Sequence, residues 1–220
     1  MYKFITSVIF TCFFALPIQA VEMRVLAWDQ NIAGRDLSIA YGSKAEQITG
    51  MHHFARSAPI KVKADSESLR LQVNDRLSEK GKPLAVPIAL GSSIKQPLLL
   101  LIPDKDDPSG IRTLVVEDNV EGFAWGSLRF INLTNEELVF RCDKKQKLIP
   151  AGWKPSSVQL GGAARNVGVA LLLKKDLKGS KLYSAVWKHQ MNERKLIFII
   201  PSKDRSRGPV ELKFIVEKQV

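Results

Sequence analysis

Apolar and polar residues alternate at Leu69, Leu71 and Val73, at Leu138, Phe140 and Cys142, at Val167, Val169 and Leu171, and at Leu212, Phe214 and Val216. A period of two puts each set on one face of a strand, and Gly, Pro, Asn and Asp bound every run as turn residues do. The runs 97–102 and 196–200 are apolar throughout, short, and stopped by proline. Their length predicts buried strands, since a helix core needs a longer run. Almost no helix is expected.

Two stretches nearly coincide: IPDKDDPSG at 102–110 and IPSKDRSRG at 200–208. With the offset held at 98, residues 69–110 lie over 167–208. Identities fall at Lys80/Lys178, Gly81/Gly179, Leu84/Leu182, Leu98/Leu196, Ile102/Ile200, Pro103/Pro201, Lys105/Lys203, Asp106/Asp204 and Gly110/Gly208, with the apolar faces in phase. Upstream the offset becomes 101, through Asn31/Asn132, Leu37/Leu138, Lys44/Lys145 and Ile48/Ile149, and the three-residue change falls in the loop at 49–59. The pattern predicts an all-β chain of two tandem, internally duplicated β-sandwich units of immunoglobulin-like kind, residues 21–118 and 119–220, each with about seven strands. One sandwich or barrel shared by both copies is the alternative.

Ahead of the first copy, residues 1–20 have a basic start at Lys3, an apolar stretch from Phe4 to Leu16, Pro17, and a small residue, Ala20. That is the layout of a secretory signal peptide cut after Ala20, and the apolar stretch is shorter than the roughly 20 residues of a membrane span. Cys12 is not preceded by the small residues that a lipidation site needs. The expected product is exported to the periplasm, cell envelope or exterior and is not integral to a membrane once the signal is removed. It keeps one cysteine, Cys142, so no internal disulfide can form and burial must hold the fold together.

The residues that look chemical find structural readings. Cys142 aligns with Tyr41 on an apolar face, which suits a core thiol and not a catalytic one. His52 and His53 are adjacent in a loop with no third ligand at a recognised spacing, and His189 aligns with Gly91. The acidic stretch at 104–110 lacks the alternating series and terminal glutamate of a calcium loop, and its second copy replaces two of three acids. Asn132 to Thr134 form a formal glycosylation sequon. No spacing assigns a catalytic, metal or cofactor site, so a non-enzymatic protein without cofactor is expected, with a hydrolase of unrecognised site as an alternative.

Charge divides the copies. Residues 21–118 hold 13 Lys and Arg against 13 Asp and Glu, whereas residues 119–220 hold 19 against 9. Such a field attracts polyanions. Lys144, Lys145, Lys174, Lys175, Arg205 and Arg207 are the candidate anion-binding residues, for an anionic glycan, an anionic lipid surface or an acidic protein. Nucleic acid is not expected, because the chain is exported and carries no recognition motif among its lysines. The 104–107 segment sums to −2 and the 203–207 segment to +2, which also allows weak head-to-tail self-association.

The segment SLRFINLTNEELVF at 127–140, followed by LIPAGWKPSSVQL at 148–160, reads as strand, turn, strand and proline-containing return. With a signal peptide and two tandem sandwiches, this layout resembles the periplasmic pilus chaperones. The resemblance implies a role in structural assembly as the alternative to a binding module. The alternating strand that those chaperones donate to a pilin is not identified in this sequence, and no residues carry over.

Overall fold

The computed structural model describes residues 20–63, 69–204, 206 and 208–219; the predicted signal peptide lies outside them except for Ala20. The chain is all-β. Unit 1 consists of β1 (Ala20–Ala27), the helical turn α1 (Gln30–Ala33), β2 (Leu37–Tyr41), β3 (Lys44–Gln47), β4 (Ile60–Lys63), β5 (Arg70–Leu77), β6 (Pro83–Pro87), β7 (Pro97–Pro103) and β8 (Ile111–Glu117). Unit 2 repeats the strands as β9 (Ser127–Asn132), β10 (Leu138–Cys142), β11 (Lys145–Ile149), β12 (Ser156–Gln159), β13 (Arg165–Leu173), β14 (Tyr183–His189), β15 (Glu193–Pro201) and β16 (Val210–Lys218). Among the described residues no helix is long and apolar enough to cross a membrane.

Each unit is a sandwich of two four-stranded sheets, ordered β4-β1-β7-β8 and β3-β2-β5-β6 in the first and β12-β9-β15-β16 and β11-β10-β13-β14 in the second. Pairing is antiparallel except between β1 and β7 and between β9 and β15. The strand order is thus duplicated element by element, which establishes two tandem sandwich units.

Pairing registers refine the predicted equivalences. Tyr41 opposes Lys44 and Cys142 opposes Lys145, so the offset of 101 holds through this hairpin. The first residue of each turn, Gly42 or Asp143, takes positive φ (55° and 52°). In the strands before it, Arg24 opposes Leu98 and Arg129 opposes Leu196, which sets β1 and β9 at an offset of 105. The extra four residues are α1, whose N-cap Asp29 accepts from the Ile32 amide at 2.9 Å. Asn31 therefore sits in a helical turn and is not the partner of Asn132, which ends β9. In the next hairpin Ile39 opposes Leu71 and Phe140 opposes Leu171, an offset of 100 and not 98. A shift of two leaves every side chain on its original face, so alternation could not reveal it. On the return strand Leu71 opposes Val86 and Leu171 opposes Tyr183, an offset of 97, so the connection is shorter in unit 2 and the identity Leu84/Leu182 does not share a position.

Three apolar cores result. Val25, Ile39, Leu71, Leu99 and Leu101 fill unit 1, and Phe130, Phe140, Leu171, Ile197 and Ile199 fill unit 2. The third lies between the units, where Leu26, Leu98, Leu100 and Ile102 of the first meet Phe123, Ile131, Leu196 and Phe198 of the second. This accounts for the unbroken apolar runs of β7 and β15: alternate residues serve the inner core and the core between units. Each buried side chain of this size contributes about 1.5–3 kcal/mol, so the units are bound as neighbours of a common core and not as beads on a linker.

The contact is close to reciprocal. Phe54, from the loop joining β3 and β4, lies 5.4 Å from the ammonium of Lys213 on β16, and Trp153, from the loop joining β11 and β12, lies 4.5 Å from the guanidinium of Arg112 on β8. Trp28 links the two by packing on Phe198 and Trp153, with ring centroids at 5.3 and 6.0 Å, and its carbonyl accepts from Lys213. Burial pushes the Lys213 amine down to about 8, against the opposing pull of Asp29.

Candidate binding surfaces and the arginine cluster between units

Topology sorts the cationic segments of unit 2 into two groups. Because β9 and β15 run parallel and β10 starts where β9 ends, the turns at 133–137, 174–182 and 202–209 gather at one end of the sandwich. A Cβ built on Gly208 would stand 3.7 Å from the Leu182 carbonyl oxygen, which places the last two turns side by side. This end carries Lys174, Lys175, Lys178, Lys181 and Lys203. Arg205 and Arg207 lie outside the described residues. Lys144 and Lys145 stand at the opposite end.

Partners differ among these cations. Lys174 pairs with Glu137 at 2.7 Å and Lys175 with Glu136 at 2.6 Å, so both are neutralised by the neighbouring turn. Lys145 donates to the carbonyls of Gln159 and Leu160, each at 2.7 Å, and so holds the end of β12. Lys178, Lys181, Lys203 and Lys144 are exposed.

The corresponding turn in unit 1, 104–110, is fastened to its sandwich. Arg35 binds Asp75 through two bonds of 2.8 Å and donates to Ser109 O at 2.7 Å, and Arg76 donates to Pro108 O at 2.7 Å. The Ser109 hydroxyl and amide hold the Asp107 carboxyl below its ordinary range. Asp204 accepts from Ser206 in the same manner, so the turn's local hydrogen bonding was kept while its charge changed. No group of His, Cys, Asp and Glu side chains capable of holding a metal occurs among the described residues.

A dense charge cluster among the described residues is internal and was missed from sequence. Arg56 grips Asp118 through Nε at 2.7 Å and Nη2 at 2.9 Å, and Arg194 reaches Asp118 at 3.2 Å and Glu217 at 2.6 Å. Arg24 also binds Glu217, at 2.7 Å. Arg129 donates to the carbonyls of Glu117 and Gly122 and to the Ser157 hydroxyl. The fully buried ring of Phe123 is surrounded by the guanidiniums of Arg129, Arg194 and Arg56, at 4.4, 5.0 and 6.0 Å. Burial tends to raise the Glu217 carboxyl, but the guanidiniums of Arg56, Arg194 and Arg24 outweigh it and hold the group below its ordinary range. A crevice of about 160 Å³ opens beside the cluster, lined by Arg24, Arg194, Glu22, Asp118, Glu217 and Trp125. Each guanidinium meets at least one protein acceptor, Arg56 Nη1 making no hydrogen bond but lying 3.4 Å from Glu217, and with three acids on its wall the crevice reads as the seam of an ion-pair lock.

The remaining candidates are structural. Cys142 is buried in the unit 2 core, and burial raises its thiol, with Asp143 adding to the effect. His52 and His53 stack on each other with centroids at 4.9 Å, and His53 packs on Phe54. Asn132 is fully buried and closes the turn after β9, its amide donating to Glu136 O and its oxygen accepting from Thr134, so no face is open to a glycan.

His189 is buried with Nε2 unpartnered, and burial, then Arg165, lowers its pKa from 6.5. The unfolded chain binds the proton first. Stability is therefore expected to decline as pH falls below about 6.5 and to level off below the folded value. Thermal melts across pH 7 to 5 will show this slope, and His189→Leu should flatten it; an unchanged slope would assign the effect elsewhere. The chain matches no protein-family model and no curated protein.

Proposed function

We propose that the protein is an exported, non-enzymatic interaction protein whose second unit holds a polyanionic partner, either an anionic glycan, an anionic lipid surface or an acidic protein. The supporting observation is the gathering of the 174–182 and 202–209 turns at one end of unit 2, which puts Lys178, Lys181 and Lys203 together although they are distant in sequence. The matching end of unit 1 carries the acidic 104–107 segment instead. Exposed cations on neighbouring turns attract anions at a distance of about 10 Å at 0.1 M salt, and the attraction shrinks as salt rises.

The test is retention of the intact protein on a sulfated glycan and on phosphatidylglycerol vesicles. Replacing Lys178, Lys181 and Lys203 by glutamate should weaken binding about tenfold or more, a loss of about 1.4 kcal/mol or more. Lys144→Glu, at the opposite end, should do little. Binding that ignores salt, or that both changes reduce equally, would overturn the reading.

A further inference from the structure

The duplication supplies an internal control for every surface position, and one face departs from its sister. In unit 1, Ser38 on β2 stands between Gln47 on β3 and Gln72 on β5, on the outward side of sheet β3-β2-β5-β6. In the same register of unit 2, Val139 stands between Leu148 and Leu172. Three polar residues have become three apolar ones. In the next row Ala40, Ala45 and Arg70 correspond to Arg141, Gln146 and Ala170, and beyond it Gly168 opposes Val186.

Val139, Ala170 and Leu172 are buried yet belong to none of the three cores, while Leu148 is 41% exposed and Val186 70% exposed. Gly168, Ala170 and Ser184 form the small-residue floor of an open trough walled by Arg141, Lys181 and Val186. Arg141 and Lys181 on its walls favour an anionic group in the trough. The nearby acid Asp143 is taken by Arg165 at 3.0 Å.

The adjacent edge lacks its sister's prolines: β6 has proline at both ends and β14 has none, while one carbonyl of each strand is taken, that of Pro87 by Thr113 at 2.8 Å and that of Lys188 by Lys195 at 2.7 Å. Proline is a common guard of edge strands, and an unguarded edge can receive an extended chain.

The geometry points to the outer face of sheet β11-β10-β13-β14 as a docking surface for an extended segment of a partner protein, one presenting a carboxylate between apolar side chains. A second copy using the same face would set Arg141, Lys181 and Lys188 against like charges. The concave floor takes a ridge of side chains better than a flat bilayer. This site meets the cationic turns at Lys181, but its apolar positions and Arg141 do not depend on whether those turns bind a polyanion.

The experiment is selection of nonapeptides from a random display library on the intact protein. Enrichment of Asp or Glu flanked by alternating apolar residues is expected. A synthetic peptide of the selected sequence should bind Leu148→Gln/Val186→Lys at least about tenfold more weakly. Arg141→Ala, which restores the residue of the sister unit, should abolish the preference for an acid over its amide. Lys178→Glu/Lys203→Glu, which leaves Lys181 in place, should bind the peptide undiminished, which separates this surface from the polyanion reading. Failure to enrich any motif, or equal binding by wild type and both face variants, overturns the proposal. So does a face variant that loses only phosphatidylglycerol vesicles, or only self-association in sedimentation. Should the double variant fail to fold, Arg141→Ala decides alone.

Discussion

Phe123→Ala is expected to destabilise the protein by about 3–5 kcal/mol, the range for deleting a fully buried aromatic ring. Phe123 lies at the crossing from one unit to the other, with its side chain in the core between them. Its loss would remove apolar contact and also the surface on which Arg129, Arg194 and Arg56 rest. Although its sequence position between the copies suggests an accessible linker, the crossing is held by Arg129 on the Gly122 carbonyl and by Arg194 on those of Asp118 and Phe123. Limited proteolysis should therefore spare residues 119–126 in the wild type and cut there in the variant. Urea unfolding measures the cost, and a value under about 1 kcal/mol would show that the third core does not fasten the units.

Asp118→Ala should have an effect of similar size for a different reason. Its side chain is 6% exposed and it is shared by Arg56 and Arg194, each 4% exposed, so removing it strands two buried guanidiniums with Glu217 as their remaining acid. Breaking a buried pair from one side typically costs about 3–5 kcal/mol, much of it the uncompensated charge left behind. The exposed pair of Glu137 with Lys174 provides the contrast, because Glu137→Ala should cost about 1 kcal/mol or less and lose even that in salt. Denaturant unfolding at about 0.1 and 1 M salt distinguishes them. An Asp118 effect that salt erases would mean that water reaches the cluster.

The sequence by itself determined the strands, the duplication and the place of Cys142. Each follows from local alternation: a residue two positions from Phe140 shares its face, so Cys142 had to enter the same core. The apolar run of β7 likewise announced burial, but not what would cover it, because the covering residues, Phe198 among them, lie about a hundred positions away. Alternation also could not separate an offset of 98 from one of 100, since both keep every face in place. The ion-pair lock left no local signal, as Arg56, Asp118, Arg194 and Glu217 are spread across the chain and each looks like an ordinary surface charge until the units meet. Net charge marks unit 2 as the cationic one, yet tertiary structure decided which cations are exposed. It engages Lys145, Lys174 and Lys175 with acceptors from other turns and leaves Lys178, Lys181 and Lys203 exposed, because an ion's availability depends on what the fold brings beside it.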